Sequence, residues 1–522
     1  MTAAARWLPW AVAVLALWAI GMSVLRLESA SDGVLISTQR LGTTPVTVFR
    51  PAMGADSAPV VLVAHGFAGS QQLMQPFALT LARNGFIAVT FDFPGHGRNS
   101  APMRGGLADP GESQRTLLAS MEQMGGFARG LTGHGAPYAV VGHSMASDIV
   151  VRHAQTHADV LATVGVSLFA PSIVADSPAD SPRNLRVIAG ALEPGMMADE
   201  ALRVVARSAG PAASAALDTT YGRFDDGTAR RATLSPGVEH IGVLYSPATL
   251  AATLDWLNTA FGRPPARQPF IEARGPWLGW LLAGVVALAW PLSRGLPRVA
   301  DTSPALRQRS RWRGWRGQAL LSLLPALATP LLLWQLPTHF LPILLGDYLV
   351  LHFALYGLLT AAGLRLCGRR WPPIDRRRWL AFGAATVLVT AYAVLAVGVP
   401  VDRYIFNVRP EAGRLVLIAA MCAGTLPYFL ADEWLTRSAE APRGAYVVSK
   451  FCFLLSLVVA IALNPQRLFF LAIIVPAVLL LFVVYGLFSR WAGRATGHPA
   501  VAATANALAF GCFIAVTFPL VG

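Results

Sequence analysis

The chain has 522 residues, enough for two or more domains. Of these, 54% are hydrophobic and only 13% charged, about half the charged share of an ordinary soluble protein. With a mean hydropathy of +0.50, that excludes a wholly soluble protein and points to an integral membrane one. The net charge of +14 is unevenly distributed. Between Arg26 and Arg274 there are 19 arginines and 20 acids, whereas from Gly275 onward 22 Lys and Arg face 8 acids. The excess sits among hydrophobic stretches, where topology explains it, so no nucleic-acid partner is expected. Cys367, Cys422, Cys452 and Cys512 all lie in that second half, so the first half is no disulfide scaffold.

In chain order, residues 7–25 form an apolar run of about the length a bilayer requires. Glu28 stands where a cleavage site needs a small residue, so residues 1–27 are expected to be an uncleaved anchor, with a cleavable signal peptide as the alternative. Residues 28–262 alternate short apolar runs (59–64, 86–91) with amphipathic stretches such as 71–84. That pattern predicts a mostly parallel sheet with helices on both faces. Residues 263–276, rich in Pro and Arg, read as a linker. Residues 277–522 then hold about eight apolar segments, near 277–293, 317–336, 343–364, 380–400, 414–431, 450–464, 468–488 and 500–520, an all-α transmembrane domain.

The loops between these segments alternate in charge. Loops 294–316, 365–378, 437–450 and 490–494 carry 18 Lys and Arg, whereas 337–342, 401–414 and 464–467 carry four. Basic loops face the cytoplasm, which predicts an extracytoplasmic 28–275 region. Asp347 with His352, and Asp432 with Glu433, are ionisable groups in or beside apolar segments and are candidates for a role there. Arg403, Arg409 and Arg414 read first as interfacial anchors.

The chemistry-bearing pattern is Gly142-His143-Ser144-Met145-Ala146. It follows the apolar run 138–142 and precedes a helical pattern, which makes a strand, a sharp turn with serine at its apex, and a helix. Acyl transfer by such a serine needs a base, an acid that orients the base, and donors for the oxyanion. Glu193 follows the run 185–190 by three residues, where a carboxylate can reach the next loop. His240 follows the run 231–235, just before a closing helix at 247–261. The order serine, acid, histidine suits a serine on this kind of turn; Asp225 or Asp226 is the alternative acid. In His65-Gly66-Phe67-Ala68-Gly69-Ser70 the amide of Phe67 would face that of Met145 across Ser144. Gly66 permits the close approach, and His65 braces the turn. His65, His96 and His143 end separate runs with no Cys or second carboxylate beside them, so no metal site is expected.

Over residues 32–262 the chain resembles the α/β-hydrolase superfamily, most of all its esterase, lipase and dienelactone-hydrolase branches. The resemblance rests on HGFAGS, Asp92-Phe93-Pro94-Gly95-His96-Gly97, GHSMA, Glu193 and His240 in that order. It implies an α/β-hydrolase fold, a Ser144–His240–Glu193 triad, an oxyanion hole at Phe67 and Met145, support from His65, Gly66, Gly142 and His143, and no cofactor. Two departures stand out: Ala146 replaces the usual glycine, and the acid is Glu instead of Asp. The expected activity is hydrolysis of acyl esters of lipid or amphipathic substrates at a membrane. The alternatives are acyl transfer by the same triad, or a transporter or scaffold carrying an accessory hydrolase.

Overall fold

The computed structural model describes residues 3–106, 109–132, 136–174, 176–209, 215–300, 314–438 and 441–522. Most of the basic loop 294–316 therefore lies outside the described residues. The chain forms two compact units. One comprises Met22–Gly279 with Asp402–Asn407 and Pro519–Gly522; the other comprises Met1–Gly21, Trp280–Val401 and Val408–Phe518.

The first unit is built on an eight-stranded sheet: β1 (Val34–Leu41), β2 (Thr44–Pro51), β3 (Val60–Ala64), β4 (Ile87–Phe91), β5 (Tyr138–His143), β6 (Val160–Val166), β7 (Leu185–Gly190) and β8 (Arg230–Ser235). Their spatial order is β1-β2-β4-β3-β5-β6-β7-β8. β1 and β2 pair antiparallel, as do β2 and β4, and the remaining pairs are parallel. β3, β4, β5 and β7 are buried at every residue. Parallel strands covered on both faces require that, which is why they read as unbroken apolar runs.

Among the described residues the α-helices are, in chain order, α1 (Ala3–Ser29), α2 (Gln75–Arg83), α3 (Pro110–Thr132), α4 (Met145–Thr156), α5 (Gly195–Ala209) and α6 (Pro247–Ala260), followed by nine more from α7 to α15. One core layer joins Phe77, Leu81 and Phe86 to Leu254, Trp256 and Leu257. Another sets Val204 and Val205 of α5 against Leu185, Val187 and Ala232. The segment that reads as one helix from 71 to 84 is a 3₁₀ turn, Gln71–Met74, running into α2. Residues 263–274 hold no helix or strand but are fastened along α2. Arg263 donates to the carbonyls of Gly85 and Asn84, and the Glu272 amide donates to Thr80. A carboxyl-edge geometry follows from the parallel pairing: the turns after β3, β4, β5, β6, β7 and β8 open on the same side, where α/β sheets place their chemistry.

The second unit is helical: α7 (Gly275–Ser293, its first turn in the first unit), α8 (Gly314–Leu333), α9 (Gly346–Leu366), α10 (Trp379–Ala391), α11 (Val397–Tyr404), α12 (Leu415–Arg437), α13 (Ala445–Leu463), α14 (Pro465–Thr496) and α15 (Pro499–Thr517). Among the described residues nine helical spans are long and apolar enough to cross a membrane, one of them formed by α10 and α11 together through a π-helical turn. α12 lies close against α9 and α15. A Cβ on Gly424 would meet the Val350 carbonyl at 2.5 Å, and one on Gly511 would meet Cys422 Sγ at 2.6 Å. Small residues let helices in a lipid setting approach this closely.

The ionisable groups singled out in this half are mostly tied up. Asp347 accepts from the amide of Tyr348 at the start of α9 and from that of Phe340 in the segment before it. Lys450, counted above with a basic loop, lies inside α13, because that helix starts five residues before the apolar run does. It is buried and donates to Asp432 at 2.6 Å and Tyr428 at 3.1 Å. Arg414 is buried and donates to the Ala515 and Phe518 carbonyls.

Candidate active site

Ser144 sits between the end of β5 and the start of α4 with φ 53° and ψ −116°. A serine pays for such a backbone with strain, and strain of this kind concentrates where a side chain must be presented. Three contacts hold it. Its amide donates to the Val166 carbonyl at the end of β6, and its carbonyl accepts from both the amide and the hydroxyl of Ser147. Gly142 is obligatory beneath it, since a Cβ there would lie 2.6 Å from the Ala146 carbonyl. Ala146 itself is fully buried in the first turn of α4.

The serine hydroxyl lies 2.9 Å from His240 Nε2, and His240 Nδ1 lies 3.2 Å from Glu193 Oε2. Glu193 Oε1 accepts from the Ser167 hydroxyl at 2.6 Å and from the Gly190 amide at 2.9 Å. Burial alone would raise the Glu193 pKa. The hydrogen bonds from His240, Ser167 and Gly190 outweigh it and hold the carboxyl below its ordinary value. Asp225 and Asp226 are elsewhere, exposed, and engaged with Arg223 and Thr228. Thus Ser144, His240 and Glu193 come together and the alternative acids do not join them.

The turn after β3 packs directly on the serine. A Cβ on Gly66 would lie 3.1 Å from Ser144 Cβ and 2.9 Å from His143 Nδ1. His65 is buried; its Nδ1 lies 2.8 Å from the Gly66 carbonyl, and its Nε2 accepts from the Phe93 amide. The carbonyl can only accept, so Nδ1 carries the proton and His65 pins the β3 turn to the β4 turn. Burial lowers its pKa. Asp92 reinforces the same junction, accepting from the amides of Gln71 and Arg98, while burial pushes its pKa up.

His143 faces the other way. Its Nε2 donates to the backbone carbonyl of His240 at 3.0 Å, and burial followed by the neighbouring His240 lowers its pKa to about 3. A neutral imidazole thus holds the loop that carries the candidate base. Neither His65, His96 nor His143 belongs to a metal-ligating group among the described residues.

Sequence reasoning missed two contributors. Ser167 lies just past β6, at the same sheet edge as Ser144, but a lone serine after a strand has no neighbour in the sequence that marks it. The second is the distant segment Asp402–Asn407. The Asn407 amide donates to the hydroxyl of Ser70, the last residue of the HGFAGS turn, at 2.9 Å. Arg98 bridges to Asp402 at 2.5 Å and to Asn407 Oδ1 at 3.0 Å. Arg403 pairs with Glu28 through two bonds of 2.8 and 2.7 Å. Ile405 and Phe406 pack on the sheet core. Nothing local in the sequence relates residue 402 to residue 98.

Arg98→Ala is expected to cost about 2 kcal/mol, the usual worth of hydrogen bonds to a charged group, and to lower kcat more than it raises KM. Denaturant unfolding and steady-state kinetics of the full chain check both.

Around the catalytic edge, apolar side chains adjoin the site residues in the chain and face solvent: Leu192 beside Glu193, Ile241 beside His240, Met196 at the start of α5, and Phe169 two residues past Ser167. Large exposed apolar groups gathered at one edge mark a binding surface more often than chance exposure does.

Residues 55–217 match the family model Hydrolase_4, described as serine aminopeptidase, S33. No curated protein matches the chain. Similar solved structures include TT1662 from Thermus thermophilus (15% identity, 44% of this chain and 100% of that one, TM-score 0.32). A CIB-like hydrolase from Thermoplasma acidophilum is similar at 14% identity, over 44% of this chain and 100% of its own, with TM-score 0.32. The thioesterase domain of the curacin biosynthetic pathway is similar at 14% identity, over 43% and 98%, with TM-score 0.30. The first unit has the α/β-hydrolase fold, and residues 55–217 within it are similar in sequence to a hydrolase family.

Proposed function

We propose that the protein is a membrane-tethered serine hydrolase that cleaves acyl esters of lipid or amphipathic molecules. The observation that carries this reading is the continuous relay from Ser144 Oγ through His240 to Glu193, at 2.9 and 3.2 Å. His240 Nε2 takes the serine proton as Oγ attacks the ester carbonyl. The negative charge that forms on the carbonyl oxygen is held by the Phe67 and Met145 amides, the latter at the N-terminus of α4. His240 then protonates the departing alkoxide. Water, deprotonated by the same nitrogen, cleaves the acyl-serine and regenerates the hydroxyl.

An apolar acyl or alkyl group is favoured by the exposed rim of Phe169, Leu192, Met196 and Ile241. Apolar helices capable of spanning a bilayer precede and follow the hydrolase sequence, which would keep amphipathic substrate near the site. The arginine distribution supports an extracytoplasmic hydrolase unit. Aminoacyl amides are the second reading, because the matching family model is described as a serine aminopeptidase.

The test is a series of p-nitrophenyl esters from C2 to C12 beside aminoacyl p-nitroanilides, with the full chain in detergent micelles. Specificity rising with acyl length, by up to about 15-fold per two carbons from ~0.8 kcal/mol per buried CH₂, supports the proposal. Faster cleavage of the anilides replaces it with the second reading.

A further inference from the structure

At the opposite end of β5 from Ser144, a second group of chemistry-bearing side chains converges. Glu122 projects from α3, His153 from the last turn of α4, and His157 caps that helix. One ligand atom from each lies within 4.8 Å of the other two. Glu122 Oε2 is 2.9 Å from His157 Nε2 and 3.6 Å from His153 Nδ1. The two imidazoles come from positions four apart, which places them on one face of the helix, and they stack with centroids 4.1 Å apart.

The far side of each ring is occupied. His157 Nδ1 lies 2.9 Å from the His153 carbonyl. That carbonyl can only accept, so the proton sits on Nδ1 and the lone pair of a neutral ring points from Nε2 towards Glu122. The Thr156 hydroxyl is also 3.0 Å from this Nδ1. His153 Nε2 is 2.7 Å from the Tyr138 hydroxyl, which can accept its proton and leave the Nδ1 lone pair on the Glu122 side. Oxygen partners on the outer nitrogens are what orient ligating histidines in metal sites.

The backbone makes room for this arrangement. A Cβ on Gly125 of α3 would lie 2.9 Å from His153 Nε2 and 3.0 Å from the Tyr138 hydroxyl. Arg129 takes the other carboxylate oxygen, Oε1, at 3.2 Å, and Asp159 at 3.3 Å. Oε2 is thereby turned to the rings, and Asp159 offsets the arginine charge. His153 is buried, while His157 and Glu122 are open to solvent, so an ion can enter and water can complete its shell.

We propose that Glu122, His153 and His157 form a binding site for a divalent transition metal of the zinc class, clamping α3 to the end of α4. Two imidazoles and a carboxylate suit zinc by donor type. A tetrahedral ion with bonds of about 2.1 Å separates its ligands by roughly 3.4 Å, and Glu122 Oε2 lies 2.9 and 3.6 Å from the two ring nitrogens. The site is remote from the relay at Ser144, so its role is to stiffen the hydrolase unit, independent of which substrate that unit takes.

The full chain, stripped with EDTA and dialysed, is titrated with ZnCl₂ by calorimetry, and its thermal unfolding is followed with and without zinc. One equivalent bound at micromolar or tighter Kd, with a raised Tm, is expected. Glu122→Gln and His157→Gln are each expected to weaken binding at least tenfold and to abolish the Tm shift. Both changes are at solvent-open positions, and fluorophosphonate labelling of Ser144 reports whether each variant is folded. Absence of zinc binding to the parent chain, or undiminished binding to folded variants, overturns the proposal.

Discussion

Ser144→Ala is expected to lower turnover by roughly 10⁶-fold, the scale seen when a triad nucleophile is removed, with unfolding unchanged to within about 1 kcal/mol. Removing the hydroxyl leaves His240 Nε2 without its 2.9 Å partner but takes away nothing that holds the fold. The contacts that seat residue 144 come from its amide and carbonyl, which alanine keeps. The strained φ of 53° is no harder for alanine than for serine. Fluorophosphonate labelling of the full chain should likewise vanish in the variant, and in intact cells it should require no permeabilisation. Labelling that persists would dismiss Ser144 as nucleophile. Labelling that needs permeabilised cells would leave the chemistry intact and reverse the proposed orientation.

How much of this was legible in the sequence depends on range. The runs 185–190 and 138–142 fall almost entirely on β7 and β5, because a parallel strand buried on both faces is uniformly apolar and short. β1 and β2 carried no such signal. β1 is exposed along nearly its whole length and reads as loop, and its pairing with β2 is an edge feature. The site residues Ser144, Glu193 and His240 could be placed because each follows a strand end by a few residues. Ser167 follows one too, but a lone serine after a strand has no distinguishing neighbour. The strap at Asp402–Asn407 could not be read at all. Its contact with Arg98 spans more than 300 residues, and Arg403 reads by local rules as an interfacial anchor. Likewise, Glu122 and the His153–His157 pair are ordinary helix residues until α3 and α4 are laid side by side.

The acid offers the sharper test, because its geometry specifies a tautomer. Oε1 of Glu193 accepts from two fixed donors, the Ser167 hydroxyl and the Gly190 amide. In Glu193→Gln the amide oxygen must take that place, since an NH₂ group there would face the Gly190 donor. The NH₂ then lands where Oε2 stood, 3.2 Å from His240 Nδ1, and can only donate. His240 is forced to accept at Nδ1 and carry its proton on Nε2, so it donates towards Ser144 when it should accept. A wrong-tautomer substitution of this kind costs about 10⁴-fold in kcat, far more than the loss of one hydrogen bond would. Glu193→Asp keeps the charge and the tautomer but falls short by one methylene, so a smaller loss is expected. Asp225→Asn and Asp226→Asn should leave kcat unchanged. The pH dependence follows from the same contacts. The folded Glu193 pKa lies below its ordinary value, so its contribution to stability is complete above the unfolded carboxyl value of about 4.3. It is lost only as pH falls through the lower folded value. Acid unfolding of the parent chain should therefore show a component near and below pH 4 that Glu193→Gln lacks, measurable by circular dichroism. Equal kcat for the Gln variant and the parent would remove Glu193 from the relay, whatever the distances.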